Sequence, residues 1–201
     1  MASFGAKYPY FCPVKAEPED ARPIYDGEPV RIGRLVKADL SITLASGQLY
    51  ADDQLAESVD EFVSGSVAME TDDMTDDTAA VVYGATVEEG TVHYNVADDP
   101  PKGGYGYIKK LMRNKKVLYK GYFYPLVKAV LGNDSAATKS NSITFGTTTT
   151  TLTIFACEDG TWRDTHEAAT EAEALAWLKG QFGAGAGGSS PGGPGEDSGD
   201  A

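Results

Sequence analysis

Side chains able to do acid–base, nucleophilic or metal chemistry are few in this chain, and their spacing works against it. His93, His166, Cys12 and Cys157 occur singly. None falls in the C-x-x-C or H-E-x-x-H spacing that seats a zinc ion. No G-x-S-x-G elbow presents a serine nucleophile. Gly103-Gly-Tyr-Gly106 is glycine-rich, but it lacks the Lys-Ser/Thr and the strand–helix frame of a phosphate loop, and reads as a flexible strand entry. Carboxylates come in pairs, at Asp52-Asp53, Asp72-Asp73, Asp76-Asp77 and Asp98-Asp99. The D-x-D-x-D-G pattern with a later Glu that wraps calcium is missing, so adventitious calcium binding is the most they suggest. The residues therefore point to no catalytic site, no cofactor and no resident metal, and to a protein that is not an enzyme.

Charge is the chemistry this sequence does carry. Against 17 Lys and Arg stand 30 Asp and Glu, a formal charge of −13, which as a whole repels a phosphate backbone. The charge is also partitioned. Residues 38–101 contain no Lys or Arg, whereas residues 102–128 contain eight basic side chains and no acid: Lys102, Lys109, Lys110, Arg113, Lys115, Lys116, Lys120 and Lys128. Three readings fit. The basic stretch is a solvated hairpin whose lysines keep a sheet soluble, or a basic face that meets the acidic face of a second copy, or a nucleic-acid surface with Tyr105, Tyr107, Tyr119 and Tyr122 interleaved.

The elements that must position these groups read mostly as strands. Residues 37–44 alternate, with Ala38, Leu40, Ile42 and Leu44 on one face and Lys37, Asp39, Ser41 and Thr43 on the other. Residues 64–71 alternate again, with Gly65, Val67 and Met69 on the apolar side. Val92, Tyr94 and Val96 suggest a third strand. Residues 105–112 and 116–124 flank Arg113-Asn114-Lys115 and predict a hairpin with Asn114 left-handed. A Thr-rich strand is expected over 142–156 with a bend at Gly146, then a turn at 158–160 and a short strand at 161–163.

Two helices are predicted. One spans Asp76 to Tyr83, capped by Thr75 and ended by Gly84. The other follows the capping box Thr170-Glu-Ala-Glu173 and ends at Gly180. Residues 51–63 (ADDQLAESVDEFV) join two alternating strands and are too long for a tight turn. They read as a long loop or a short amphipathic helix. Residues 1–30 read as an extended N-terminal arm. Residues 183–201 are almost free of large apolar side chains and read as a disordered Gly/Ser/Pro-rich tail. The expected fold is mainly β, a β-sandwich or barrel-like antiparallel arrangement with one or two short α-helices, in a single domain over 1–182. No apolar h-region opens the chain and no apolar run approaches the roughly 20 residues of a membrane helix. Two cysteines without a disulfide framework fit buried thiols in a reducing cytoplasm.

Three stretches in this order carry a family resemblance: Leu49-Tyr-Ala-Asp-Asp-Gln-Leu-Ala-Glu-Ser58 with its following strand and Thr71-Asp-Asp-Met-Thr-Asp; Gly104-Tyr-Gly-Tyr-Ile-Lys-Lys with the hairpin to Tyr122-Phe-Tyr-Pro-Leu-Val-Lys128; and Ala156-Cys-Glu-Asp-Gly-Thr-Trp-Arg-Asp-Thr165 leading to Trp177-Leu. Together they resemble the major tail tube proteins of siphoviruses, the non-contractile long-tailed bacteriophages, of Gram-positive hosts. The turn Arg113-Asn-Lys and the Thr run 147–151 depart from that pattern. The resemblance implies a virion protein, made in the host cytoplasm, that forms hexameric rings stacked into a hollow tube for DNA delivery. Its implied partners are itself, the tape measure, the tail terminator and the distal tail protein, with DNA passing unbound and no membrane contact.

On that reading Asp39, Ser41, Thr43, Ser64, Ser66 and Glu70 face the lumen. Tyr50, Asp52, Asp53, Glu57, Asp60, Glu61 and Phe62 lie on an inter-subunit or inter-ring loop, and Lys109, Lys110, Arg113, Lys115 and Lys116 on a basic assembly hairpin. A tail terminator or secretion-tube subunit is the alternative, and a carbohydrate-binding β-sandwich using Trp162 or the tyrosines of 105–124 a more distant one.

Overall fold

The computed structural model describes residues 2–51, 54–131 and 146–183. Eleven strands and two helices follow in the order β1 (Ala2–Ala16), β2 (Ile24–Tyr25), β3 (Val30–Arg31), β4 (Leu35–Ala51), β5 (Gln54–Thr71), α1 (Asp76–Tyr83), β6 (Thr86–Glu88), β7 (Thr91–His93), β8 (Lys102–Arg113), β9 (Lys116–Val130), β10 (Thr148–Ile154), β11 (Asp164–Ala168) and α2 (Glu171–Gly183). The main sheet has the order β2-β1-β8-β9-β10-β5-β4, with β11 also on β9 and β3 also on β1; β6 and β7 pair apart from it. Every described ladder is antiparallel. The protein is mainly β with two helices, as the alternating pattern demands.

The sheet coils until the start of β4 returns beside β1. Its concave side holds the main core: Phe11, Ile32, Val67, Met69, Tyr105, Tyr107, Tyr124, Val127, Leu152 and Ile154, closed over by Ala79, Val82 and Tyr83 of α1. The Tyr83 hydroxyl shares a 2.8 Å hydrogen bond with Thr150 Oγ1, which ties α1 to β10 inside the core. α1 forms where its caps dictate. Thr75 accepts from the Thr78 N–H, and Gly84, at φ 72°, satisfies the Ala80 carbonyl.

α2 is started by a reciprocal capping box. The Thr170 N–H donates to Glu173 Oε2 at 3.1 Å, and the Glu173 N–H to Thr170 Oγ1 at 3.2 Å. It packs on the convex side through Ala174, Leu178 and Phe182, against Cys12, Tyr25, Ile108 and Phe123. The β8–β9 hairpin turns on Asn114 and Lys115, both left-handed at φ 49° and 62°. Arg113 pairs directly with Lys116, the two-residue geometry whose twist matches that of the strands.

Several sequence expectations are corrected. Residues 54–63 form neither a loop nor a helix but the outer half of β5, in register with β4 from Leu44↔Phe62 to Ala51↔Gln54. Only Asp52 and Asp53 remain between the strands, and they lie outside the described residues. The N-terminal segment is no arm but β1, paired with β8 from Ala2↔Met112 to Pro13↔Gly103, and its Phe11 and Cys12 are fully buried. The strand expected at 161–163 begins instead at Asp164, where β9 supplies its partner. Tyr94 and Val96 fall outside β7 and are exposed. α2 runs through Gly180 to Gly183, because Phe182 is needed in the core of that side. The Thr-rich strand begins at Thr148, and residues 142–145 lie outside the described residues, as does the Gly-rich tail from Ala184.

Strand direction gives the molecule two distinct ends. β4 and β8 run the same way through the sheet, so the β4–β5 and β8–β9 turns project from one end. α1 spans the other end. Asp73, just before it, packs on Gly33 ahead of β4, and Gly84, just after it, packs on Asp99 ahead of β8.

Candidate functional site

α2 divides the convex side of the sheet into a covered half and a bare half. On the covered half the glycines of β8 and β9 are contact points. A Cβ on Gly106 would lie 2.4 Å from Leu178 Cδ1, and one on Gly121 would lie 2.5 Å from Trp177 Cζ3. The run Gly103-Gly-Tyr-Gly106 is therefore no flexible entry: side chains press on its backbone where only hydrogen fits.

The bare half is built from β4, β5 and β10, whose registers align into rows. Ala38–Met69–Thr150, Leu40–Val67–Leu152 and Ile42–Gly65–Ile154 lie on the core side, with Ile42 at its margin still 40% exposed. The rows between them point outward: Lys37–Glu70–Thr149, Asp39–Ala68–Thr151, Ser41–Ser66–Thr153 and, across two strands, Thr43–Ser64. The alternate rows are fixed because a one-residue slip would expose Val67, Met69 and Leu152, all with no exposure. The outer face is thus paved with hydroxyls. It carries little net charge: Asp39 is paired with Lys37, Glu70 accepts from the Thr147 hydroxyl, and Lys128 of β9, in register with Thr153, reaches Asp99 at 2.6 Å. Bonding to the Asp39 carboxylate raises the Lys37 pKa.

Asp39, Ser41, Thr43, Ser64, Ser66 and Glu70 are thus brought together on one solvent-facing surface. Sequence reasoning missed Thr149, Thr151 and Thr153, which widen that surface by a strand. The signal was present, since Leu152 and Ile154 alternate with the threonines of 148–154.

The projecting hairpin is less uniform than expected. Glu57, Asp60 and Glu61 are exposed, and Ser46 donates to Asp60 across the strands. Phe62 is no free tip residue. Its ring stacks on Trp162 at 4.7 Å, just past the bulge at Val63, and packs against the main core. The side chain of Tyr50 lies outside the described residues, as do Asp52 and Asp53. Beyond Phe62 the described side chains of the ribbon are exposed on both faces, Leu49 and Val59 included.

The basic hairpin is partly neutralised within the chain. Arg113 donates to Glu167 of β11 at 3.0 Å, and Lys120 is 3.9 Å from the same carboxylate. Lys109 lies over the Tyr122 ring and Lys110 over Phe4. Lys115 and Lys116 project at the turn, both exposed. Three of the tyrosines in this hairpin face inward. Tyr105 and Tyr124 have no exposure and Tyr107 has 3%, and burial raises the pKa of all three phenols. Tyr119 and Tyr122 are half-buried, and Tyr122 stacks on Tyr107 at 5.2 Å, so these two rings alone keep some of the face that the nucleic-acid and glycan readings require. Trp162 is likewise occupied, by Phe62 on one face and the Arg163 guanidinium at 4.7 Å.

No protein-family model and no curated protein matches the chain. Among the described residues no cluster of His, Cys, Asp and Glu is placed to hold a metal, and no helix is long and apolar enough to cross a membrane. His166 stacks on Trp177 at 5.3 Å, and both cysteines are buried free thiols. What the arrangement offers is a surface: a flat hydroxyl face, a long sheet edge along β4 with no strand on its far side among the described residues, and two hairpins reaching from one end.

Proposed function

We propose that this chain is a structural subunit of a bacteriophage tail tube, which self-assembles into stacked hexameric rings enclosing a channel for DNA. The observation that carries this reading is the bare half-sheet. A soluble monomer gains little from a seven-residue alternating strand pair whose outer face is Ser, Thr, Ala68 and hydrogen-bonded charge, backed by the buried Val67, Met69, Leu152 and Ile154 and left, among the described residues, with an open edge. A channel wall needs that combination. Its face must be wet but must not bind phosphate, and its edges are removed by closure between copies. The hydroxyl rows give water a continuous hydrogen-bonding surface, and Asp39 and Glu70 keep fixed positive charge from dominating it. Tape measure, terminator and distal tail proteins are the partners this role entails, and the virion its destination. The role needs no active site and no cofactor.

Negative-stain electron microscopy of the concentrated protein tests this. Long hollow tubes with a regular axial repeat are expected. Single closed rings of one size would instead assign the chain to a tail terminator. A protein that stays monomeric at every concentration, even when seeded with purified tail initiation complexes, would refute the reading.

A further inference from the structure

We propose that the basic tip of the β8–β9 hairpin docks on the acidic α1 end of a second copy, head to tail. The partner's identity as a second copy rests on the self-assembly reading above; the choice of surfaces does not. The two ends stand apart by the length of β8, twelve residues or about 40 Å. They carry opposite charge.

At the α1 end the carboxylates are Glu17, Asp39, Glu70, Asp72, Asp73, Asp76, Asp77, Asp98 and Asp99. Four of the bases at that end are engaged within the chain: Arg34 with Asp72 at 3.7 Å, Lys37 with Asp39, Lys102 with Glu17 at 2.9 Å and Lys128 with Asp99 at 2.6 Å; Lys15, near the end of β1, is exposed there. Asp73, Asp76 and Asp77 are exposed, and α1 contains no basic residue to answer the last two. Glu88 and Glu89 on the β6–β7 hairpin, which packs beside α1, extend the same sign.

The opposite end shows the converse. Arg113 faces Lys116 directly across the ladder, and Lys109 faces Lys120. Like charges so placed cost stability in an isolated chain. Glu167 offsets Arg113 and Lys120, while Lys115 and Lys116 lie beyond its carboxylate at the turn. An external anionic surface relieves that repulsion. The two-residue turn holds the tip in one shape before contact, which lowers the ordering cost of docking. A nucleic acid would meet the same tip against a chain of charge −13; an α1 end meets it with a local excess of carboxylate.

Strand direction also sets which acids can serve. Glu57, Asp60 and Glu61 of the β4–β5 hairpin project from the same end as the basic tip. They can reach another copy's basic tip only if the two copies stand side by side. Docking of the tip on α1 instead propagates along the strand direction and leaves the lateral sheet edge free.

The test uses Lys115→Cys and Asp77→Cys in the full-length chain, each alone and mixed, under mild oxidation at low salt. Cys12 and Cys157 are buried, so the introduced thiols are the reactive ones. A disulfide-linked dimer is expected in the mixture, absent from either variant alone, and lost at high salt, where screening shortens to about 3 Å at 1 M. No dimer in the mixture overturns the proposal. A dimer from Lys115→Cys alone also overturns it, because it would show tips meeting side by side. A charge exchange gives a second reading: K115E/K116E and D76K/D77K should each lose association, and mixing the two should restore it in alternating order, since each variant's tip then meets an α1 end of opposite charge on the other. Loss without restoration counts against the proposal. Tubes that form without this cross-link would sink the docking geometry alone; the cross-link without tubes would sink the tube reading alone.

Discussion

Reversing the charge of the bare sheet face separates a channel wall from an ordinary solvated surface. In the double variant D39K/E70K the formal charges contributed by Lys37, Asp39, Glu70 and Lys128 go from a balance of two against two to four positive. The fold should tolerate this. The Lys37–Asp39 pair is more than half exposed on both sides, at 62% and 58%, so its loss costs little. Setting Lys37 opposite a second lysine at position 70 adds a weak, solvent-screened repulsion. Together they lower the melting temperature by only a few degrees, at about 2–4 °C per kcal/mol for a domain of this size. The effect on DNA should be far larger. Four ammonium groups per subunit facing a duplex give a salt slope of about −3.6, or a change of about 10²-fold in affinity between 50 and 200 mM salt. The assay is DNA passage through tubes assembled from the variant, with retained DNA measured against salt; a circular dichroism melt serves as the control. The expected outcome is arrested DNA that high salt releases. Variant tubes that melt normally, pass DNA at the wild-type rate and retain none at 50 mM salt would show that this face does not line the channel.

Two further outcomes test the packing. Gly121→Ala alone should cost about 1–3 kcal/mol, because its Cβ would sit 2.5 Å from the Trp177 ring. Since the three nearest contacts are all Trp177 side-chain atoms, G121A/W177A should be less destabilised than the sum of its single variants in urea melts, and simple additivity would refute the close approach. Alkaline pH should weaken the fold. Burial first, then Asp159, pushes the Cys157 thiol from 9.0 up to about 11, and burial raises the Tyr25 phenol too. The folded state therefore holds these protons more tightly than the unfolded chain does. That stability is complete below about pH 9 and is lost as pH rises toward 11, so the urea midpoint should fall across that window and not below it; a midpoint flat to pH 11 contradicts the assigned burial.

The sequence made some elements plain because their local chemistry is sufficient. Thr75 and Gly84 bracket α1, the Thr170–Glu173 box starts α2, and Asn114 marks a turn, each through a few neighbouring residues. The lumen candidates were legible for a similar reason. One face of each strand is buried, so residues 37–44 and 64–71 alternate in the sequence itself. Residues 54–62 failed that test. Their strand is exposed on both faces along most of its length, so no alternation records it, and only pairing with β4 makes it a strand. β1 hid for the opposite reason: Phe11 and Cys12, adjacent in sequence, are buried on opposite sides, and register shifts at Phe4/Ala6 and Lys7/Tyr10 break its period. The meaning of Gly106 and Gly121 depended on Leu178 and Trp177, more than fifty residues away in sequence, and no local pattern could supply it.

The register shifts along the β4–β5 ribbon have a consequence for how the protein is stored before it is used. A long, open sheet edge is a template on which any extended chain can grow, including a misfolded copy of the same protein. Here Val36 is an extra residue in β4, and Val63 and Ala56 are extra residues in β5. These interruptions twist the ribbon and divide its pairing into two regular stretches, residues 37–43 and 44–49, about 23 Å and about 20 Å long. An incoming strand meets an edge that twists where the partner strand bulges at Val63 and Ala56, with the carboxylates of Glu57, Asp60 and Glu61 on that strand beside it. Twist and like charge both work against a flat, fibre-like extension of this edge, so a chain that keeps it open carries its own brake on disordered growth.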